Sequence, residues 1–146
     1  MKKLIFFCIA AVFAAACDNK EPNLIPVIDV VEVYDDTGHN VYHEAGVEWR
    51  LEVGEDGKYT LYMDKTRFVQ GMPYLNMEVR NLDNQSSPQL SDVGFEYSAS
   101  EVVPYYNGLL KAEYTLYNFR CDTEDDTLNV RFRCMSYDVR YRGKLR

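Results

Sequence analysis

Val47-Glu48-Trp49-Arg50-Leu51-Glu52-Val53, then Gly54-Glu55-Asp56-Gly57-Lys58, then Tyr59-Thr60-Leu61-Tyr62-Met63-Asp64 is the stretch that decides the fold class. Apolar and polar residues alternate with period two on both sides of a loop bracketed by glycines, the pattern of two half-buried strands joined as a hairpin. Pairing Val53 with Tyr59 puts Trp49 opposite Met63 and gathers the apolar residues on one face. Gly57 then falls where a short hairpin loop needs a positive φ.

The same alternation spreads outward from this hairpin. Leu75, Met77 and Val79 alternate with Asn76, Glu78 and Arg80, and Val93, Phe95 and Tyr97 alternate with Gly94, Glu96 and Ser98. The polar stretch from Asn81 to Asp92, which holds Pro88, is the longest loop. Tyr117, Phe119 and Cys121 face Leu128, Val130, Phe132 and Cys134 if the turn is centred on Glu124 and Asp125. A last strand, Tyr137 to Gly143, changes phase near Cys134 and Met135, which predicts a bulge or tight turn. Ile25 to Tyr34 supplies the first strand, and no stretch after Cys17 keeps helical spacing for three turns. About eight sequentially connected strands predict an all-β domain, a single antiparallel up-and-down β-barrel that abolishes its edges by closing, with an open sandwich as the alternative.

The chain has 146 residues, room for one domain and too few for a multi-domain enzyme. Sixteen Lys and Arg against 23 Asp and Glu give a net charge of −7, which argues against nucleic acid as a partner. The apolar content and modest Gly and Pro are those of a folded globule.

The first residues read as an address. Lys2 and Lys3 precede an apolar run from Leu4 to Ala16 that ends in Ala14, Ala15 and Ala16 and is followed by Cys17. This is the layout of a secretory signal peptide over residues 1–16, and the run falls short of the roughly 20 residues of a spanning helix. Cys17 after the small residues resembles the lipobox of bacterial lipoproteins, with Ala14 where most carry leucine. The resemblance implies a lipidated Cys17; ordinary cleavage after Ala16, leaving a free thiol, is the alternative reading. Residues 17–24 then form the lipidated Cys and a polar tether in front of a barrel domain over 25–146. In that tether Asp18 and Glu21 beside Lys20 resemble the acidic signal that sends lipoproteins of Gram-negative gut anaerobes to the outer surface.

Gly71-Met72-Pro73 ahead of Tyr74-Leu75-Asn76-Met77-Glu78-Val79 resembles the Met-Pro turn and strand of the calycin-like (lipocalin-like) β-barrel lipoproteins of gut anaerobes. Leu128 to Cys134 and Val139 to Lys144 are similar to the closing pair of strands in that family. The resemblance implies an eight-stranded barrel that holds a lipid or other small amphipathic molecule, and brings no catalytic residues.

Motifs of catalysis are missing. There is no Gly-x-Ser-x-Gly, no Cys placed near a His, and no privileged carboxylate pair. The chain therefore reads as a non-enzyme without cofactor. His39 and His43 lack a third ligand, and Asp122, Glu124 and Asp126 lack the Gly and closing Glu of a calcium loop, so no metal is expected. Cys121 and Cys134 fall too far apart in the hairpin register for a disulfide and read as buried thiols.

Two candidate binding regions remain. Trp49, Leu61, Met63, Leu75, Met77, Phe95, Phe119 and Phe132 point inward, as core or as the lining of a ligand cavity. Arg120, Arg131, Arg133, Arg140 and Arg142 point outward from neighbouring strands as a basic stripe, while residues 17–119 carry 7 basic and 18 acidic groups. That stripe either docks an anionic glycan, lipid headgroup or acidic partner, or makes cross-strand pairs with the acidic first strand. Tyr105 and Tyr106, with Tyr74 and Tyr42, are candidates for the rim of the barrel mouth. The expected function is an exported, membrane-anchored envelope lipoprotein of the outer membrane, at its surface or periplasmic face, binding a small hydrophobic or amphipathic ligand inside the barrel. The competing function is a cell-surface module that binds glycan or protein, as an accessory subunit or enzyme inhibitor, through its outer surface.

Overall fold

The structure, a computed structural model, describes residues 28–86 and 94–146. The signal segment 1–16, Cys17, the tether 17–24, the start of the first strand and Val93 lie outside them. Eleven strands run through the described residues: β1 (Val30–Tyr34), β2 (Asn40–Ala45), β3 (Arg50–Val53), β4 (Tyr59–Thr66), β5 (Leu75–Leu82), β6 (Glu96–Val102), β7 (Tyr105–Tyr106), β8 (Leu109–Leu110), β9 (Leu116–Glu124), β10 (Thr127–Cys134) and β11 (Tyr137–Lys144). One 3-10 turn, Ala112–Tyr114, leads into β9.

The founding hairpin forms in the expected register, with Val53 opposite Tyr59 and Leu51 opposite Leu61. Gly57 has φ 77°, and the Gly54 amide donates to the Lys58 carbonyl at 2.8 Å. The phase change near Cys134 resolves as a tight turn: Cys134 faces Tyr137, and Met135 between them takes φ 57°.

The closed barrel of about eight strands is corrected. The strands form two antiparallel sheets, one ordered β2-β1-β11-β10-β9-β6 and the other β3-β4-β5-β7-β8. The last strand does lie beside the first, Val33 opposite Val139, but the ring is broken twice, between β2 and β3 and where β5 and β6 part. β5 takes β7 as its second neighbour, with Met77 opposite Tyr106, and β6 pairs with β9. The free edge of β6 is satisfied by the segment after β5. The Gln85 amide donates to the Glu96 carbonyl at 2.7 Å, and Asn84 Oδ1 and Gln85 Oε1 accept from the Glu96 and Ser98 amides at 3.1 and 2.9 Å. An edge occupied in this way no longer templates another strand, so closure is not needed to protect it. On the far side of the six-stranded sheet, side chains again join β2 to the connection between β4 and β5. Arg67 Nε donates to the Tyr42 hydroxyl at 2.8 Å and its guanidinium lies 4.3 Å over the Tyr74 ring, while both tyrosines donate to Glu44.

The β9–β10 hairpin also departs from its expected form. Its turn is Asp125-Asp126, with Asp125 at φ 52°, so Cys121 faces Val130 and Thr123 faces Leu128. Asn118 at φ 50° puts a bulge in β9, which turns Tyr117 out to solvent and Leu116 into the core in its place.

Both sheets contribute to one core. Its centre is Trp49, whose ring stacks on Tyr141 at 4.4 Å and lies 6.3 Å from Phe132. The Tyr141 hydroxyl, carried by the other sheet, accepts from the Trp49 amide at 2.9 Å, and the Trp49 indole N–H donates to the Asp64 carbonyl at 3.0 Å. Tyr141 can lie along β11 because Gly143 has no side chain: a Cβ there would sit 1.9 Å from the Tyr141 hydroxyl oxygen. Gly143→Ala is therefore expected to lower the free energy of unfolding by about 1–3 kcal/mol, the usual cost of overpacking. Tyr141→Phe, which deletes only the hydrogen bond between sheets, should cost about 1 kcal/mol. Urea denaturation of the full-length protein measures both, and a Gly143→Ala variant as stable as the parent would contradict this packing.

Candidate functional site

The inward set is the core itself. Trp49, Leu61, Met63 and Met77 are wholly buried, and Leu75, Phe95, Phe119 and Phe132 nearly so. Their rings contact one another, Phe119 lying 6.4 Å from Phe132 and Phe95 lying 4.5 Å from Tyr59. Phe95 also lines a cleft of about 610 Å³ at one end of the sheets, with Leu51, Val53, Tyr59 and Leu145.

The outward arginines are brought together on one surface, the outer face of the six-stranded sheet. β10 and β11 sit in the middle of that sheet, and alternation sends Arg131 and Arg133 out of one and Arg140 and Arg142 out of the other. Arg131 stands directly opposite Arg120 on β9 and directly opposite Arg140 on β11. Three guanidinium groups thus form a row across three adjacent strands, an arrangement of like charges that by itself destabilises a sheet. Glu32 of β1 continues the row, opposite Arg140 on one side and His43 on the other.

Carboxylates relieve part of the repulsion. Asp138 Oδ2 accepts from Arg140 Nη2 at 2.8 Å and from Arg131 Nη2 at 3.4 Å, bridging the two. Arg120 pairs with Asp122 at 3.2 Å and Glu96 at 3.4 Å. The Arg140 guanidinium packs 4.3 Å over the Tyr34 ring, whose hydroxyl donates to Glu32 at 3.0 Å. Arg133 and Arg142 have no carboxylate partner among the described residues. The expected cross-strand pairing with the first strand is realised for Arg140 only as register. The ion pair with Asp29 is made instead by Arg146, Nη2 to Oδ2 at 2.7 Å.

Three shallow grooves lie along this row, of about 360, 310 and 250 Å³, and all three include Arg131. The bulge at Asn118 sets Tyr117, which is 47% exposed, opposite Arg133. Asn129 stands opposite Arg142, and its side-chain amide donates to Asp122 at 3.2 Å. Sequence reasoning finds the outward arginines but not Tyr117, whose place depends on the bulge. The available signal was Asn118 itself, since asparagine tolerates the left-handed conformation.

The remaining candidate residues lie elsewhere in the fold. Tyr42 and Tyr74 meet at Glu44, whereas Tyr105 and Tyr106 lie on β7, with Arg80 4.2 Å over the Tyr105 ring. His43 contacts Glu32 at 3.8 Å and His39 bonds Thr37 at 2.9 Å. Among the described residues no three metal-ligating side chains converge. Cys121 and Cys134 are buried and unpaired, and burial pushes the Cys134 thiol up to about 11 and raises Cys121 as well. Comparison with protein-family models, with curated proteins and with solved structures finds no match.

Partial burial raises the affinity of Asp138 for a proton, but hydrogen bonds from Arg140 and Arg131 outweigh it and hold the carboxyl below its ordinary 3.8. A depressed carboxyl stabilises the fold fully above its unfolded value, and that contribution is lost as pH falls through the lowered folded value. Asp138→Asn should therefore cost roughly 1–2 kcal/mol at pH 7 and progressively less below about pH 4. Thermal unfolding at a series of pH values checks this, and a cost independent of pH would contradict it.

Proposed function

We propose that the chain is an exported, lipid-anchored envelope protein, not an enzyme, that binds an anionic partner on the outer face of its six-stranded sheet. The observation that carries this reading is the row Arg120, Arg131 and Arg140, three like charges placed opposite one another in adjacent strands of an acidic chain. The fold does not need them: any polar residue satisfies the outward positions of a strand, and mutual repulsion there lowers stability. A cationic surface on a protein of net charge −7 also orients an anionic partner toward this face. The lipobox resemblance at Cys17 supports anchoring at the outer membrane, with this face turned to whatever the envelope presents.

Binding of a small amphipathic molecule is the second reading. Its support moves from the centre of the core, which is filled by Trp49 and its neighbours, to the cleft at the sheet ends lined by Val53, Phe95 and Leu145.

The full-length protein in detergent micelles should be retained by immobilised dextran sulfate at pH 7 and low ionic strength and released by salt. The double variant Arg131→Glu, Arg133→Glu should pass through unretained while keeping its far-ultraviolet circular dichroism. Asp138→Asn, which frees both of its arginines, should elute at higher salt than the parent. A parent protein that fails to bind, or a double variant that binds equally, overturns the surface reading.

A further inference from the structure

We infer that the anion taken on this face is a linear acidic polysaccharide, lying lengthwise over β10 and β11 from Arg133 to Arg142; this rests on the surface reading above. Two of the grooves meet at Arg131, one reaching Arg142 and the other reaching Arg133. Together they make one trough with a free guanidinium at each end and the Arg131 and Arg140 pair, sharing Asp138, between them. Arg133 stands opposite Asp138, and Arg142 lies four residues farther along β11, so the end charges are roughly 13 Å apart along the strand. A single small anion would engage one end of such a trough. A ligand with negative charges repeated along its length engages both.

The chemistry around the arginines suits a sugar chain better than an added peptide strand. β9, β10 and β11 are interior strands with neighbours on both sides, so no peptide can add to them as a further strand. Their outward side chains, from Tyr117 to Lys144, are polar or charged apart from the Tyr117 ring, and the exposed Met135 lies beyond them in the turn between β10 and β11. The exposed Tyr117 ring beside Arg133 offers a flat apolar face with a polar tip, suited to a pyranose ring. Asn118 and Asn129 add amides that both donate to and accept from hydroxyls. Planar arginine forks match carboxylate and sulfate equally. Glu32, Glu96 and Asp122 flank the arginines and confine a bound anionic chain to the line between Arg133 and Arg142.

Isothermal titration of the full-length protein in micelles, at low salt and pH 7, tests the assignment with four classes of probe, compared between classes at equal total charge. These are oligogalacturonides of increasing length, sulfated dextran oligomers, polyglutamate, and a single-stranded oligonucleotide. Affinity for at least one of the two saccharides should rise with length and level off at about three to four sugars, the length of the trough. Whichever saccharide binds identifies the acid group as carboxylate or sulfate. Arg133→Glu or Arg142→Glu should each weaken saccharide binding at least tenfold, and Tyr117→Ala several-fold, with circular dichroism unchanged. Polyglutamate or the oligonucleotide binding as tightly as the saccharides, through the same arginines, overturns the polysaccharide assignment and leaves the surface reading standing. If none of the four binds, both fall.

Discussion

Everything in this molecule depends on where β11 lies and on the alternation along it. Val139, Tyr141 and Gly143 face inward, where the Tyr141 ring covers Gly143 and stacks on Trp49 while its hydroxyl oxygen accepts a hydrogen bond from the Trp49 amide across the gap between sheets. The residues between them, Arg140 and Arg142, can then point only outward, because side chains on a strand alternate strictly. A one-residue slip would bury two guanidinium groups and expose the core, at a cost far beyond the stability of a small domain. The packing that joins the two sheets and the geometry of the charged face are thus one constraint seen from two sides.

The same logic extends to the neighbouring strands. Phe132 packs toward Trp49 and Phe119, and its neighbours in sequence are Arg131 and Arg133. Phe119 and Cys121 hold β9 so that Arg120 faces Arg131. Asp138 then acts as a local counterion that makes the juxtaposed arginines tolerable without neutralising them, since it is one carboxylate shared by two. Arg133 and Arg142 keep their full capacity for an external acid.

Much of this was legible in the sequence, because it follows from period-two alternation. The all-β class, the Val53 to Tyr59 hairpin, the inward set and the outward direction of the five arginines all come from that one pattern. Closure into a single ring was not legible. Sequence patterning says which face of a strand is buried but not which strand is its neighbour, and here side chains from Asn84, Gln85, Arg67 and Glu44 stand where ladders would have closed the barrel. The register of β9 was missed for a related reason. Moving the turn by one residue shifts the cross-strand register by two and preserves the inward face, so Asp125-Asp126 and Glu124-Asp125 look alike in pattern, and the bulge at Asn118 then reverses the phase for Tyr117 and Leu116.

The central claim is that ligand contact is made by the outer arginine face while the interior stays closed. Nuclear magnetic resonance of the arginine side-chain Nε–H and tryptophan indole N–H groups, recorded as the full-length protein is titrated with a short sulfated dextran, tests it directly. The account predicts that the Arg131, Arg133, Arg140 and Arg142 signals shift saturably and together while the Trp49 indole signal stays in place. A shift at Trp49 with the arginine signals unmoved would put the ligand inside the fold and contradict the account.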